Sequence, residues 1–240
     1  MRMSKVAVIT GVGKGVGRAL AKALYEDGYN LGMITRSESD LTSLVNELGA
    51  SSARVIFRAG DAADEHLAQE IVQEVLKQFG QVDVLINNAG MGKYGPLDEL
   101  TVADYDDMMN SNMRSTFLYT YYVVPHLKER RQGNIINIAS VAGIKGLPQE
   151  SIYCATKFAQ VGFGQALDQE LRPFGIKVTN VCPGGIHTHF AIGTGRTEGD
   201  PRMNEFLDAE DIVKAVRFVL DQNPKSRIME ILMRPMYEAH

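Results

Sequence analysis

The sequence is poor in cysteine and has no long apolar run. Its two cysteines, Cys154 and Cys182, cannot build a disulfide framework, which favours a reducing cytoplasm as the compartment. No apolar stretch approaches the roughly 18 residues that a membrane-spanning helix requires. The N-terminal sequence MRMSKVAVIT is basic, but its apolar part spans only about five residues and predicts a first strand rather than a signal peptide. We therefore expect a cytoplasmic protein with no membrane partner.

An excess of positive charge is also missing. The formal net charge of −4 argues against nucleic acid or an anionic membrane as the main partner. The hydrophobic fraction of 45% and the charged fraction of 22% are typical of a globular protein. The length of 240 residues suits one domain with a sizeable core. Because no linker, low-complexity tract or repeat divides the chain, we expect a single domain over residues 1–240.

Short runs rich in valine and isoleucine alternate along the chain with longer segments of helical period. The predicted strands are Val6–Thr10, Leu31–Thr35, Arg54–Phe57, Val82–Asn87, Asn134–Ala139, Lys177–Val181 and Arg227–Met233. The predicted helices are Arg18–Tyr25, Ser39–Leu48, Asp64–Phe79, Val102–Arg130, Tyr153–Phe174 and Ala209–Leu220. This alternation indicates βαβ units with right-handed crossovers. The sequence thus predicts an α/β fold, a Rossmann-like doubly wound parallel sheet of about seven strands with helices on both faces and ligands beyond the carboxyl ends of the strands.

A glycine-rich loop, TGVGKGVG at residues 10–17, directly follows the first predicted strand. Glycines allow the backbone to approach a pyrophosphate closely, and the helix that follows offers free N–H groups to the phosphates. The spacing T-G-x-x-x-G-x-G differs from the G-x-G-x-x-G fingerprint, and Gly15 after Lys14 excludes a Walker loop. We expect a dinucleotide site; on this motif alone, the alternative is a helix that simply begins with glycines.

Further motifs follow in order along the chain. They are NNAG at 87–90, Asn112 in NSNMRSTF, Ser140 in INIASVAG, YCATK with Tyr153 and Lys157, and PGGIHT at 183–188. Tyr153 follows Ser140 by 13 positions. Taken with the glycine loop, these motifs resemble those of the short-chain dehydrogenase/reductase family in its short single-domain branch. The resemblance covers nearly the whole chain.

This resemblance implies a catalytic set of Asn112, Ser140, Tyr153 and Lys157. Tyrosine can exchange a proton with a carbonyl oxygen, but its ordinary pKa near 10 is too high for efficient base chemistry at neutral pH. Lys157 stands four residues after Tyr153, so on a helix the two side chains share a face and the ammonium can stabilise the phenolate. By resemblance, Lys157 also binds the nicotinamide ribose, Ser140 binds the substrate oxygen, and Asn112 holds a water that links Lys157 to solvent.

The resemblance also implies a set of cofactor-binding residues. These are Gly11, Gly13, Lys14, Gly15, Val16, Gly17, Arg36, Asp61, Ala62, Asn88, Tyr153, Lys157, Pro183, Gly184, Ile186 and Thr188. Asn88 and Ile186 are expected to act through backbone groups, and Thr188 at the carboxamide end. Asp61 matches the family's adenine contact, although a helix N-cap is an equal alternative for it.

The end of the second predicted strand indicates which dinucleotide binds. An acid there would accept hydrogen bonds from the ribose 2′-hydroxyl and repel a 2′-phosphate, but the chain has Thr35 followed by Arg36. Arg36 and Lys14 can both contact a phosphate dianion. The nearest acids, Glu38 and Asp40, lie beyond the strand end and are expected to be solvated. The expected cofactor is NADP(H).

These observations predict an NADP(H)-dependent oxidoreductase that moves a hydride between nicotinamide and a small ketone or aldehyde, or the corresponding alcohol or hydroxy acid. The alternative is an NADP-binding regulatory protein with little turnover. Residues 187–207, which are rich in glycine, predict a mobile substrate lid. His187 and His189 have no further ligand at suitable spacing, so no metal is expected. The resemblance implies a homodimer or homotetramer that associates through the helices of Asn112 and Tyr153.

Overall fold

The structure, a computed structural model, describes residues 4–236. Its centre is a seven-stranded sheet in the order β3-β2-β1-β4-β5-β6-β7, in which every neighbouring pair is parallel. The strands are β1 Val6–Thr10, β2 Asn30–Thr35, β3 Val55–Ala59, β4 Val84–Asn87, β5 Gly133–Ile138, β6 Ile176–Pro183 and β7 Glu230–Met233. The predicted Rossmann-like fold is confirmed. All seven predicted strands are present; β1 has the predicted ends, and the other six differ at one end or both.

Helices connect the strands. They are α1 Gly15–Glu26, α2 Glu38–Glu47, α3 Glu65–Phe79, α4 Val102–Met109, α5 Ser115–Arg130, α6 Ser151–Leu171 and α7 Ala209–Leu220. Short 3₁₀ turns lie at Leu97–Glu99, Val141–Gly143, Arg172–Phe174 and Pro201–Glu205. The predicted helical stretch over 102–130 is present, and a π-helical turn at Asn110–Arg114 divides it into α4 and α5. Within residues 4–236, none of the helices combines the length and apolarity needed to cross a bilayer.

Two apolar layers cover the sheet. One packs α1 and α7 against the face that carries Ala7 and Ile9. The other packs α3, α5 and α6 against the face that carries Val6 and Val8. Successive residues of a strand point to opposite faces, so a strand covered on both sides must be apolar throughout. This explains why β1 is buried at every position, and each fully buried valine or isoleucine contributes about 1.5–3 kcal/mol.

The strand order reverses between β1 and β4, which are neighbours in the sheet although β2 and β3 lie between them in sequence. At such a point the connections leave in opposite directions and open a crevice beyond the carboxyl ends of the strands. The glycine loop follows β1, NNAG begins in β4, Ser140 follows β5 and PGGIHT begins in β6. The topology therefore gathers the sequence motifs at one edge of the sheet.

Candidate active site

The glycine loop is fixed tightly against the loop after β4. The Thr10 hydroxyl accepts hydrogen bonds from the backbone N–H groups of Asn88 at 3.0 Å and Ala89 at 2.9 Å. The Asn88 amide donates in return to the carbonyls of Thr10 and Gly11, both at 3.0 Å. Gly11 has φ +72°, and a Cβ there would lie 2.8 Å from the Cα of Ala89. Glycine is thus required at this turn.

The N-terminus of α1 is open to a ligand. A Cβ at Gly17 would collide with the Gly11 carbonyl and the Asn88 amide, so only glycine lets the helix begin this close to the loop. Lys14 at the N-cap position makes no side-chain capping hydrogen bond. The first N–H groups of α1 and the positive end of its dipole therefore face the cavity, where they can bind a phosphate. These features fit the pyrophosphate of a dinucleotide.

Two cations lie near the mouth of this loop. Lys14 and Arg36 are exposed and line the cavity. Within the described part of the chain, neither side chain takes part in a hydrogen bond or an ion pair. Both charges are therefore available to an anionic ligand.

Asp40 lies beyond the end of β2, as expected, but it is half-buried rather than fully exposed. It lines the same cavity. Its carboxylate lies next to Gly13, because a Cβ at Gly13 would lie 3.1 Å from Asp40 Oδ2 and 2.7 Å from Thr35 Oγ1. Ser37 caps α2 by accepting from Asp40 N at 3.1 Å, and Arg18 donates to the carbonyls of both Gly13 and Asp40 at 3.2 Å. The first turn of α2 therefore brings a carboxylate to the glycine loop, so the adenosine end of the cavity is not free of negative charge.

Tyr153 and Lys157 lie one turn apart on α6, opposite Ser140 at the end of β5. All three are buried, with 6%, 3% and 9% of their surface exposed. Ser140 begins the 3₁₀ turn after β5, and its hydroxyl accepts from Ala142 N at 3.1 Å. Burial raises the pKa of Tyr153, and a hydrogen bond with the Ser140 side chain opposes this rise. The serine side chain thus lies next to that of the tyrosine.

Lys157 is a buried cation with neutral partners. Its Nζ donates to the Ile138 carbonyl at 3.1 Å and to Gln160 Oε1 at 2.9 Å, and lies 5.7 Å from the centre of the Tyr153 ring. Desolvation lowers the pKa of Lys157 to about 8. The Lys157 ammonium is thus close enough to interact electrostatically with the Tyr153 ring. Because of its burial, it also loses its proton more easily than an exposed lysine does.

Asn112 lies in the π-helical turn and is completely buried. Its Oδ1 accepts from Met91 N at 2.7 Å, and its Nδ2 donates to the Met91 carbonyl at 2.9 Å and to Thr156 Oγ1 at 2.8 Å. The amide thus ties the loop after β4 to α6. The predicted water between Asn112 and Lys157 stays a prediction.

A chain of buried hydrogen bonds connects Lys157 to the backbone of Asn112, and it was not predicted from the sequence. Gln160 accepts from Lys157, its Nε2 donates to Thr116 Oγ1 at 2.9 Å, and Thr116 donates to the Asn112 carbonyl at 2.8 Å. Gln160 is fully buried. In the sequence, only the position of Gln160 three residues after Lys157 indicated that the two side chains could meet. Thr116 could be identified as the other partner of Gln160 only from the packing of α5 against α6.

One cavity of about 960 Å³ joins these groups. Ser140 and every predicted cofactor-binding residue line it, namely Gly11, Gly13, Lys14, Gly15, Val16, Gly17, Arg36, Asp61, Ala62, Asn88, Tyr153, Lys157, Pro183, Gly184, Ile186 and Thr188. Asn112 lies behind its wall, 3.0 Å from a Cβ built on Gly90. The N-cap alternative for Asp61 is wrong, because Asp64 caps α3, while Asp61 Oδ1 accepts from Ala63 N at 2.9 Å.

The segment 187–207 folds over the Tyr153 end of the cavity. Tyr94 N donates to the Thr194 carbonyl at 2.7 Å, and Thr194 Oγ1 donates to the Gly92 carbonyl at 2.8 Å. The rings of Tyr94 and Phe190 lie 5.5 and 5.8 Å from the Tyr153 ring, measured between centres. These aromatic neighbours, which the sequence analysis did not identify, exclude water from the tyrosine. No cluster of three or more His, Cys, Asp or Glu residues suited to a metal occurs within residues 4–236.

Comparison with known proteins agrees with this arrangement. The family model for short chain dehydrogenases matches residues 5–199. An uncharacterized oxidoreductase of Staphylococcus aureus (strain MW2) is 32% identical over 232 residues, which are 97% of each chain. The chain therefore belongs to the short-chain dehydrogenase/reductase family and is an oxidoreductase.

Two solved structures show which dinucleotides its neighbours bind. An alcohol dehydrogenase from the archaeon Thermococcus sibiricus, complexed with 5-hydroxy-NADP, is 29% identical with a TM-score of 0.89, over 99% of each chain. A 3-ketoacyl-(acyl-carrier-protein) reductase from Brucella melitensis, complexed with NADH, is 26% identical with a TM-score of 0.87, over 98% of each chain. Use of a nicotinamide dinucleotide follows for this chain.

Proposed function

We propose that this protein is an NADP(H)-dependent oxidoreductase that interconverts a small ketone or aldehyde and its alcohol or hydroxy acid, with Tyr153 as the general acid and base. One observation carries the proposal. A single cavity has the buried Ser140, Tyr153 and Lys157 at one end and the uncapped N-terminus of α1 with two unpaired cations at the other. The span between the two ends suits an extended dinucleotide better than a small ligand alone.

The chain's own residues position the substrate and move the proton. The dinucleotide supplies the hydride when bound. Ser140 donates a hydrogen bond to the carbonyl oxygen, and Tyr153 delivers its proton to that oxygen as the alcohol forms. Lys157 stabilises the resulting phenolate, because a positive charge near the ring favours the ionised form. In the oxidising direction the same groups act in reverse.

Lys14 and Arg36 support the preference for NADP(H), and Asp40 opposes it. Two unpaired cations favour a 2′-phosphate, and the arginine can bind it through two parallel hydrogen bonds. The Asp40 carboxylate would repel the same phosphate across the loop. Because the cations are two and the acid is one, we propose that NADP(H) is preferred, by a smaller margin than the cations alone would give.

The whole chain is proposed to be one domain, with residues 187–207 as a lid that opens for substrate exchange. Exposed apolar side chains on α5 and α6, namely Phe117, Tyr121 and Phe158, support association into a homodimer or homotetramer through these helices. Cys154 and Cys182 are both free and buried, which supports a cytoplasmic location.

The experiment that tests the proposal is a titration of the purified protein with NADPH and NADH, followed by a carbonyl panel. Quenching of tyrosine emission and enhancement of nicotinamide fluorescence report binding. Tighter binding of NADPH, with NADPH oxidation by at least one small carbonyl compound, is expected. Equal binding of the two dinucleotides would refute the cofactor preference, and binding without turnover would favour a regulatory protein.

A further inference from the structure

Arg196, in the segment 187–207, lines the cavity at its Tyr153 end. Its Nη1 donates to the Ile186 carbonyl at 3.1 Å. Its Cζ lies 5.2 Å from the centre of the Phe206 ring and 5.9 Å from that of the Phe190 ring. One backbone bond and two rings thus orient the guanidinium, while most of its five N–H donors remain available.

In the part of the chain that the structure describes, Arg196 has no carboxylate within ion-pair distance. Within residues 4–236, no Asp or Glu oxygen lies within 4.0 Å of the Arg196 guanidinium, since it forms none of the ion pairs found there. Arg202, in the same segment, differs: it pairs with Asp200 at 2.6 Å and its side chain is 84% exposed. A half-buried arginine without an acid is costly, so Arg196 is the one of the two suited to an anionic ligand.

The charge of Arg196 acts at the reacting end of the cavity. The Phe190 ring lies next to both Tyr153 and Arg196. Its centre is 5.8 Å from the centre of the Tyr153 ring and 5.9 Å from Arg196 Cζ. Burial raises the pKa of Tyr153 and of Tyr94; Glu150 adds to this rise, and the Arg196 guanidinium opposes it. Glu150 has an interaction partner of its own. An anion on Arg196 and a carbonyl held at Tyr153 would therefore both lie beside the Phe190 ring, in the same end of the cavity.

We propose that Arg196 binds the carboxylate of the substrate, so that the preferred substrates are small aliphatic oxo acids and the corresponding hydroxy acids. This proposal rests on the proposed function. In the step, the carbonyl carbon gains a hydride, which carries two electrons, from the reduced nicotinamide, and its oxygen gains the Tyr153 proton. The carbonyl π bond becomes the new O–H bond, and the carboxylate on Arg196 is unchanged.

A phosphate of the dinucleotide is the other anion that could reach Arg196, and the experiment separates the two. The probes are acetoacetate, 4-oxopentanoate and 5-oxohexanoate, each beside its methyl ester, which has the same carbonyl but no charge. Each is assayed with NADPH on wild type, Arg196→Leu and Arg196→Lys. Arg202→Leu is the control variant, because it removes an arginine from the same segment that already has an acid partner.

Wild type is expected to reduce at least one acid with a kcat/KM well above that of its ester. Arg196→Leu should lower kcat/KM for the acid about 10- to 100-fold, as loss of a charge-assisted hydrogen bond does. Neither kcat/KM for the ester nor the Kd of NADPH should change by more than about threefold. Arg196→Lys should retain part of the effect, since it keeps the charge but not the planar fork. Arg202→Leu should leave the preference for the acid unchanged.

Two results would overturn the assignment of Arg196. One is equal loss of activity for acid and ester in Arg196→Leu. The other is a matching loss of NADPH affinity, which would place a cofactor phosphate on the arginine. Failure of the proposed function is distinguishable from both, because wild type would then reduce neither the acids nor the esters while still binding the dinucleotide.

Discussion

The two ends of the cavity are built in different ways. At the Tyr153 end the polar groups are buried, and Lys157, Gln160, Thr116, Asn112 and Thr156 are joined in one hydrogen-bond network. At the adenosine end Lys14 and Arg36 are exposed and make no such bonds within the described residues. Buried networks fix geometry and shift pKa values, whereas exposed cations contribute attraction that salt screens. We therefore expect changes at the first end to reduce the rate and changes at the second to alter cofactor affinity.

The largest effect is expected from Tyr153→Phe. The phenyl ring retains the packing against Tyr94 and Phe190 but has no proton to transfer, so kcat should fall by about 10²–10⁴-fold. The Kd of NADPH should change less than twofold. Steady-state rates and fluorescence titration measure the two quantities. The exposed Tyr105 gives a matched control, since Tyr105→Phe should retain the wild-type rate. Unaltered turnover in Tyr153→Phe would remove the tyrosine from the chemistry.

The double variant Lys14→Ala, Arg36→Ala should have the opposite effect to Tyr153→Phe, with a loss of cofactor affinity and little change in rate. Removal of both unpaired cations is expected to weaken NADPH binding about 10- to 100-fold and to leave NADH binding and the maximal rate near wild type. Titrations with both dinucleotides at two salt concentrations check this, because the wild-type preference should shrink as ionic strength rises. If the variant still prefers NADPH, other groups select the cofactor.

Gln160→Leu tests whether the buried network supports Lys157. Gln160 Oε1 accepts from the ammonium, so its loss should lower the pKa of Lys157 below its value of about 8, by about one unit for a bond worth 1.5 kcal/mol. The proposed function requires the protonated lysine, so kcat/KM of wild type should fall as the pH rises through this pKa, and the variant should lose activity at a lower pH.

A pH profile of kcat/KM measures the shift. Cys182 is the other titratable group whose charge acts on Lys157, and burial raises its pKa to about 12, so it stays neutral in this range. Thr116→Val provides a graded control. It removes the hydrogen bonds of Thr116 with Gln160 and with the Asn112 carbonyl but leaves Gln160 Oε1 as the acceptor for Lys157, so the shift should be smaller. If Gln160→Leu lowers the rate equally at every pH, the glutamine has a packing role alone.

The smallest effect is expected at Asp40. Asp40→Asn removes the carboxylate that lies beside Gly13 and Thr35 but keeps its shape, so the affinity for NADPH should rise about threefold through lost repulsion. The affinity for NADH should stay constant or fall slightly. The matched variant Glu38→Gln, in the same turn but exposed, should change neither. Weaker NADPH binding in Asp40→Asn would show that the carboxylate organises the loop rather than opposing the phosphate.

Prediction from the sequence succeeded best where local pattern and structure are tightly linked. The strands could be recognised as apolar runs because both faces of the sheet are covered. The glycine loop could be recognised because a side chain at Gly11 or Gly17 would collide with neighbouring atoms. The sequence predicted a helical stretch over 102–130 but not the π-helical turn at Asn110–Arg114 within it. In this turn Asn112 donates to Thr156 Oγ1 on α6 at 2.8 Å, a contact that no local pattern records.

The sequence by itself determined the order of the elements and the parallel sheet, because periodicity and steric need act over a few residues, and its motifs pointed to Ser140, Tyr153 and Lys157 through their resemblance to a known family. Only the tertiary structure decided which charges meet. Asp40 reaches the glycine loop because Arg18 holds the first turn of α2 against it. Thr116 of α5 meets Gln160 beside Lys157, and Arg196 lies between two rings with no acid in ion-pair distance among the described residues. The bonds of Arg18 with Asp40 and of Gln160 with Thr116 join residues far apart in the chain, and electrostatic interactions depend on distance and burial, which only packing fixes.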